Sequence, residues 1–88
     1  MSFSHQELED QILVLIRAVG PLLPEDSFAQ AHYFIDHNEF DLALDTVGAI
    51  LAKAGVRVDA SVFATFIRLG SALDIDDANW DAIRPLNL

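Results

Sequence analysis

Apolar residues recur at three- and four-residue intervals along most of this chain, and no long apolar–polar alternation supports a strand. The first helix has a complete start signal. Ser4 and Glu7 have the spacing of a capping box, and Phe3 and Leu8 stand where a hydrophobic staple would close over it. Leu8, Ile12, Leu15, Ile16 and Val19 follow helical spacing until Gly20-Pro21. Leu13 and Val14 widen the stripe, which predicts a helix buried on more than one side.

The pattern places a second helix from Pro24, with Glu25 and Asp26 in its first turn and Phe28, Ala31, His32, Phe34 and Ile35 on a mixed apolar face. Asn38 suits the corner, because asparagine tolerates the left-handed conformation that closes a helix. A third helix is expected from about Glu39 to Ala54, with Phe40, Ala43, Leu44, Val47, Ile50, Leu51 and Ala54 on one face and Gly55 as its stop. So short a connection predicts that the second and third helices form an antiparallel hairpin. Gly55–Val58 reads as a linker, and Asp59 as the cap of a fourth helix carrying Val62, Phe63, Phe66, Ile67, Leu69 and Leu73. Gly70 inside it costs about 1 kcal/mol relative to alanine, so it marks either close packing or an early helix end. Asp76 can cap a short last helix holding Trp80 and Ile83, before Pro85 breaks it. The expected fold is all-α: residues 1–88 as one domain, a compact bundle of four to five short helices around a central antiparallel helical hairpin.

Composition narrows the function. With 88 residues and 52% hydrophobic content, the chain can bury one core and is not of disordered type. Fourteen acids against five bases leave a net charge of −9, which opposes direct nucleic-acid binding and favours a basic protein partner. The same acidity would also serve solubility alone. There is no cysteine, hence no disulfide, thiolate metal site or cysteine nucleophile. The longest apolar run, residues 11–23, contains Arg17 and is too short to span a bilayer. A soluble, cytoplasmic protein without membrane association is the expectation.

The charge is unevenly spread. Between Arg17 and Lys53 there is no Lys or Arg, and the charged residues are Glu25, Asp26, Asp36, Glu39, Asp41 and Asp45. Asp41 and Asp45 stand four apart on the third helix, as do Asp77 and Asp81 on the last. Like charges at that spacing cost roughly 0.2–0.5 kcal/mol per pair. Helix-end effects excuse Asp41 or Asp77, and Arg84 can partly pair with Asp81, but Asp45 has no such explanation. These acids fit a partner-binding surface, with a merely solvated face as the alternative. Tyr33 and His37 can share a helical face at the corner, where Tyr33 is either an interface anchor or a rim residue with its hydroxyl in water. Trp80 is assigned to the core.

The chain carries little catalytic chemistry. His32 and His37 do not stack on one helical face and His5 is remote in sequence, so no metal site is expected. The stretch Asp74-x-Asp76-Asp77-x-Asn79-x-Asp81 resembles a calcium loop but lacks its Gly and Glu. There is no Gly-rich phosphate loop or nucleophile elbow, so neither an enzyme nor a cofactor is expected.

The wording Ile35-Asp36-His37-Asn38-Glu39-Phe40-x-Leu42-Ala43-Leu44-Asp45 resembles the MafI-like immunity proteins of bacterial contact-dependent toxin systems. The resemblance implies a cytoplasmic protein that binds and neutralises the C-terminal domain of a cognate toxin, often a nuclease and then basic. The toxin-facing residues would be Asp36, Glu39, Asp41 and Asp45, then Asp77 and Asp81, with Tyr33 as anchor. Phe40, Ala43 and Leu44, the most family-like residues, would belong to the hairpin core. Asp26-Ser27-Phe28 is similar to the Asp-Ser-Leu attachment site of acyl carrier proteins, but Ser27 comes soon after Gly20 and no acidic run follows, and helix capping would account for the serine. Phe40-x-x-Ala43-Leu44 also fits tetratricopeptide-type hairpins, without a second copy at a fixed period. A generic helical adaptor is the remaining alternative.

Overall fold

In the computed structural model, which describes residues 3–86, the capping box at Ser4 forms as its spacing requires. Ser4 Oγ accepts the Glu7 N–H at 3.1 Å, and Glu7 Oε1 accepts the Ser4 N–H at 3.2 Å. It opens α1 (His5–Val19), which buries Ile12, Leu15, Ile16 and Val19. Phe3 and Leu8 are half-buried against the same core. The expectation of burial on more than one side is not met: Val14 is 55% exposed and Leu13 only partly covered. The reason is the thickness of the molecule. Its smallest extent, 17 Å between outermost Cα atoms, fits two helix layers about 10 Å apart, so every helix keeps an outer face.

After a 3-10 turn over Gly20–Leu22, the second helix begins later than Pro24 predicts. Residues 24–28 form turns, with Asp26 left-handed at φ 68° and the Ala29 N–H donating to the Asp26 carbonyl at 3.2 Å. A left-handed residue cannot continue a right-handed helix. Helix α2 is therefore Ala29–Asp36, Glu25 and Asp26 lie outside it, and Phe28 at its N-cap makes no side-chain cap bond. Ala31 and Ile35 are its buried residues, whereas His32 faces outward. Helix α3 (Phe40–Lys53) buries Phe40, Ala43, Leu44, Val47 and Leu51 as expected, and Gly48 besides. Ile50 is only partly covered and Ala54 is exposed. Asp59 caps α4 (Ala60–Ala72) by accepting the Val62 N–H at 2.8 Å. The last element is a 3-10 segment, Asp77–Ile83, with Asp76 capping it through the Ala78 N–H at 2.9 Å. The architecture is all-α among the described residues. Its centre is α3, which packs with α2 as a hairpin and also touches α1, α4 and the 3-10 segment.

Three helices end in the same way. Each has a left-handed residue at C′: Asn38 (φ 59°) after α2, Gly55 (φ 73°) after α3 and Asp74 (φ 60°) after α4. In each case the next N–H reaches back to the carbonyl five residues earlier: Glu39 to Phe34 at 2.9 Å, Val56 to Leu51 at 2.9 Å and Ile75 to Gly70 at 2.8 Å. These are Schellman closures, which satisfy the last carbonyls and reverse the chain in a few residues.

Gly70 has close packing as its reason, since α4 continues past it. Trp80 is fully buried, with its indole lying between α3 and α4. A Cβ built on Gly48 would come 2.6 Å from Trp80 Cζ3, and one on Gly70 would come 2.8 Å from Trp80 Nε1. Phe66 supports the ring, its centroid 4.9 Å away. The segment carrying the tryptophan is tied down by the Val58 N–H to the Ile83 carbonyl at 3.0 Å, Arg57 to the Arg84 carbonyl at 2.8 Å, and Asn79 to Asp45 at 2.7 Å.

An alanine at an unobstructed helical glycine should stabilise, so the sign of the effect tests this packing. Gly48→Ala and Gly70→Ala are each expected to cost about 1–3 kcal/mol through overpacking. In thermal denaturation that corresponds to roughly 4–8 °C of Tm per kcal/mol. Gly20→Ala, where a Cβ would meet nothing within 4 Å, should leave Tm unchanged or raise it. A gain in Tm for Gly48→Ala would contradict the tryptophan slot.

Candidate functional site

The α2–α3 corner gathers residues from three parts of the chain. Asn38 closes α2, and its side-chain Oδ1 accepts the Nε2–H of His5 at 3.0 Å. The His5 ring also meets Phe40 edge-on, with centroids 4.8 Å apart. His5, remote in sequence, is therefore part of the corner and pins the start of α1 to it. On the outer face of α2, the rings of Tyr33 and His37 stand 4.2 Å apart at 33°. His37 is held by its Nδ1–H, which donates to the Tyr33 carbonyl at 2.8 Å. Phe34 meets Tyr33 edge-on at 5.8 Å and is itself half-buried. Tyr33 remains 56% exposed, so the shared face expected for Tyr33 and His37 exists and faces solvent.

The acids fall into two groups. Asp36, Glu39 and Asp41 are all exposed at the corner. Among the described residues no basic side chain comes within ion-pair distance of them, and the ion pair that is formed, Arg84–Asp81, lies elsewhere. Asp41 Oδ1 accepts the Leu42 N–H at 2.9 Å, in the first turn of α3, where a carboxylate is favoured by the helix dipole. Asp45 and Asp81 have partners within the protein. Asp45 is also exposed, but its Oδ1 accepts from Asn79 Nδ2 at 2.7 Å and joins α3 to the C-terminal segment. Asp77 and Asp81 do not form the like-charged pair expected of them. Their segment is 3-10, with three residues per turn, so four positions separate side chains by about 120°. Three positions eclipse them instead, which sets Asp81 against Arg84 at 3.1 Å. This exposed pair is worth about 0–1 kcal/mol.

Other candidate features are structural. The Ser27 hydroxyl donates to the Pro24 carbonyl at 2.6 Å and does not cap α2, so its place in the sequence reflects a turn rather than a helix cap. The acid-rich stretch around Asp74 supplies backbone closure: Asp74 is the left-handed C′ residue of α4 and Asp76 the next cap. Two shallow depressions flank the end of α4, one lined by Ser71 and residues 74–77, the other by Phe3, Ile67, Arg68, Ser71 and Ala72. Neither includes a corner residue. Among the described residues, no three His, Asp or Glu side chains are grouped as metal ligands, and no helix is long and apolar enough to cross a membrane.

The corner geometry depends on Asn38 in two ways, through its backbone and through its bond to His5. Asn38→Ala is expected to lose about 1–2 kcal/mol, because alanine resists the left-handed conformation. Asn38→Gly should recover most of that loss while still lacking the His5 bond. Urea denaturation of the two variants measures the difference. Equal losses would show that the side-chain bond, and not the backbone, holds the corner.

Compared with protein-family models, with characterised proteins and with solved structures, the chain finds no match, so a functional reading stands on the corner itself.

Proposed function

We propose that this protein is an immunity protein, which binds a basic toxin domain made in the same cell and neutralises it by occupying a positively charged surface. The observation that carries this reading is the corner of α2 and α3, where Asp36, Glu39 and Asp41 are exposed with no cation within ion-pair distance among the described residues. The surrounding stretch from Ala18 to Ala52, about two fifths of the chain, contains no Lys or Arg to offset this field. The resemblance of residues 33–45 to MafI-like immunity proteins points the same way and names the partner class.

A nuclease supplies the clearest physical rationale. Its cleft must be basic to hold phosphates, and a row of carboxylates competes for that charge. The partner is then a cognate toxin C-terminal domain of nuclease type, met in the cytoplasm, with no part for nucleic acid, membrane or cofactor on this chain. Asp36, Glu39 and Asp41 make the main electrostatic contribution and Tyr33 is the anchor beside them. Asp45, Asp77 and Asp81 add to the long-range field, with Asp45 and Asp81 also engaged within the protein.

Capture tests this reading directly. The tagged protein, co-expressed with the adjacent reading frame, is expected to retain one basic toxin-like domain that high salt releases. Recovery of the protein alone would remove the immunity role. With the captured domain in hand, Asp36→Lys combined with Glu39→Lys should slow association about tenfold or more at low salt, with helical content and Tm unchanged. An unaltered association rate would remove the acidic corner from the mechanism.

A further inference from the structure

We propose that the Tyr33–His37 face of α2 is an arginine-recognition site, in which a guanidinium from a basic protein partner lies on the open face of Tyr33 and pairs at its edge with Asp36. The inference rests on the reading of the corner as a docking face and names the side chain it docks.

Among the described residues, Tyr33 is the one aromatic residue in the set of exposed large hydrophobic side chains. Exposed aromatic rings usually lose freedom on binding, but this one is already held. His37 covers one side of it at 4.2 Å, and the bond from His37 Nδ1–H to the Tyr33 carbonyl holds His37 in turn. More than half of the residue's surface remains open to a ligand. Asp36 follows Tyr33 by three positions on the same helix, a spacing that sets Cβ atoms about 5–6 Å apart on one face. Ring and carboxylate together offer the two contacts that a planar guanidinium makes at once, stacking and forked hydrogen bonding. A lysine ammonium, compact and strongly hydrated, can sit over a ring but has no plane to stack and no fork to pair.

The same combination is completed elsewhere in this molecule. Arg84 lies over the Phe63 ring at 4.8 Å and pairs with Asp81 at 3.1 Å. At the corner, the aromatic ring and the carboxylate are present and the arginine is not supplied by this chain. Charge argues for a protein that brings it, since every charged residue between Arg17 and Lys53 is acidic.

The test compares oligo-arginine and oligo-lysine peptides of equal length and charge, titrated into isotope-labelled protein and followed by NMR. The arginine peptide should shift the Tyr33 ring signals and the Asp36 and His37 amides. It should bind about two- to fivefold more tightly than the lysine peptide, the advantage of a stacked and forked guanidinium over a point charge. Tyr33→Leu should reduce this preference to what forked pairing with Asp36 supplies, and Tyr33→Phe should keep it in full. Equal affinities in the native protein, or a preference undiminished by Tyr33→Leu, would overturn the proposal. The toxin partner reports separately. If the double lysine variant at Asp36 and Glu39 weakens toxin capture and Tyr33→Leu does not, the docking reading stands and the arginine site falls. An arginine preference in a protein that captures no toxin leaves the site and removes the immunity role.

Discussion

The structure depends on one close fit, the Trp80 indole between Gly48 of α3 and Gly70 of α4. Two helices can approach across a ring only where neither carries a side chain at the contact, and the distances to a hypothetical Cβ, 2.6 and 2.8 Å, leave no room for one. The Trp80 Nε1–H has no hydrogen-bond partner among the described residues, which costs about 1–3 kcal/mol. Burying an indole of about 200 Å² contributes about 5 kcal/mol at 25 cal/mol per Å², so the slot is favourable despite the unmade bond. A seven-residue 3-10 segment is too short to be stable alone. It is ordered because its tryptophan is inserted, and the bonds from Val58, Arg57 and Asp45 then fix its path.

That insertion affects the charged surface. It joins the C-terminal segment to α3 through Asp45, so one acid of the third helix becomes a structural link. The 3-10 geometry, tighter than an α-helix, turns Asp81 toward Arg84 and away from Asp77. Of the hairpin's acids, Asp45 is bonded to another element, while among the described residues Asp36, Glu39 and Asp41 are not and stand where α2 turns into α3. There the Schellman closure at Asn38 presents Asp36, Glu39 and Asp41 within a few residues, and His5 fastens α1 to the same point. A corner so held has little reorganisation to undergo on binding.

Much of the fold was legible because its signals are local. The Ser4–Glu7 box, the left-handed Asn38, the stop at Gly55 and the cap at Asp59 each depend on a few consecutive residues, and each formed as its spacing implies. The structure departs from the sequence pattern where local signals compete. Pro24 with two following acids is a sound helix start, but a left-handed Asp26 intervened and moved α2 to Ala29. Val14 and Leu13 looked like core by composition, and a molecule two helix layers thick had no further layer to cover them. Four-residue spacing between Asp77 and Asp81 implied proximity only under α-helical periodicity.

The sequence by itself determined the all-helical class, the hairpin corner, the core face of α3 and the acidic window with no base in it. These follow from periodicity, capping and composition, which act over neighbouring residues. Tertiary structure alone decided which acids are free. It placed Asn79 against Asp45, 34 positions away, brought His5 to Asn38 across 33 positions and made two glycines into the walls of a tryptophan slot. Contacts between residues so far apart in the chain have no period or motif to announce them. They exist only after the helices have packed.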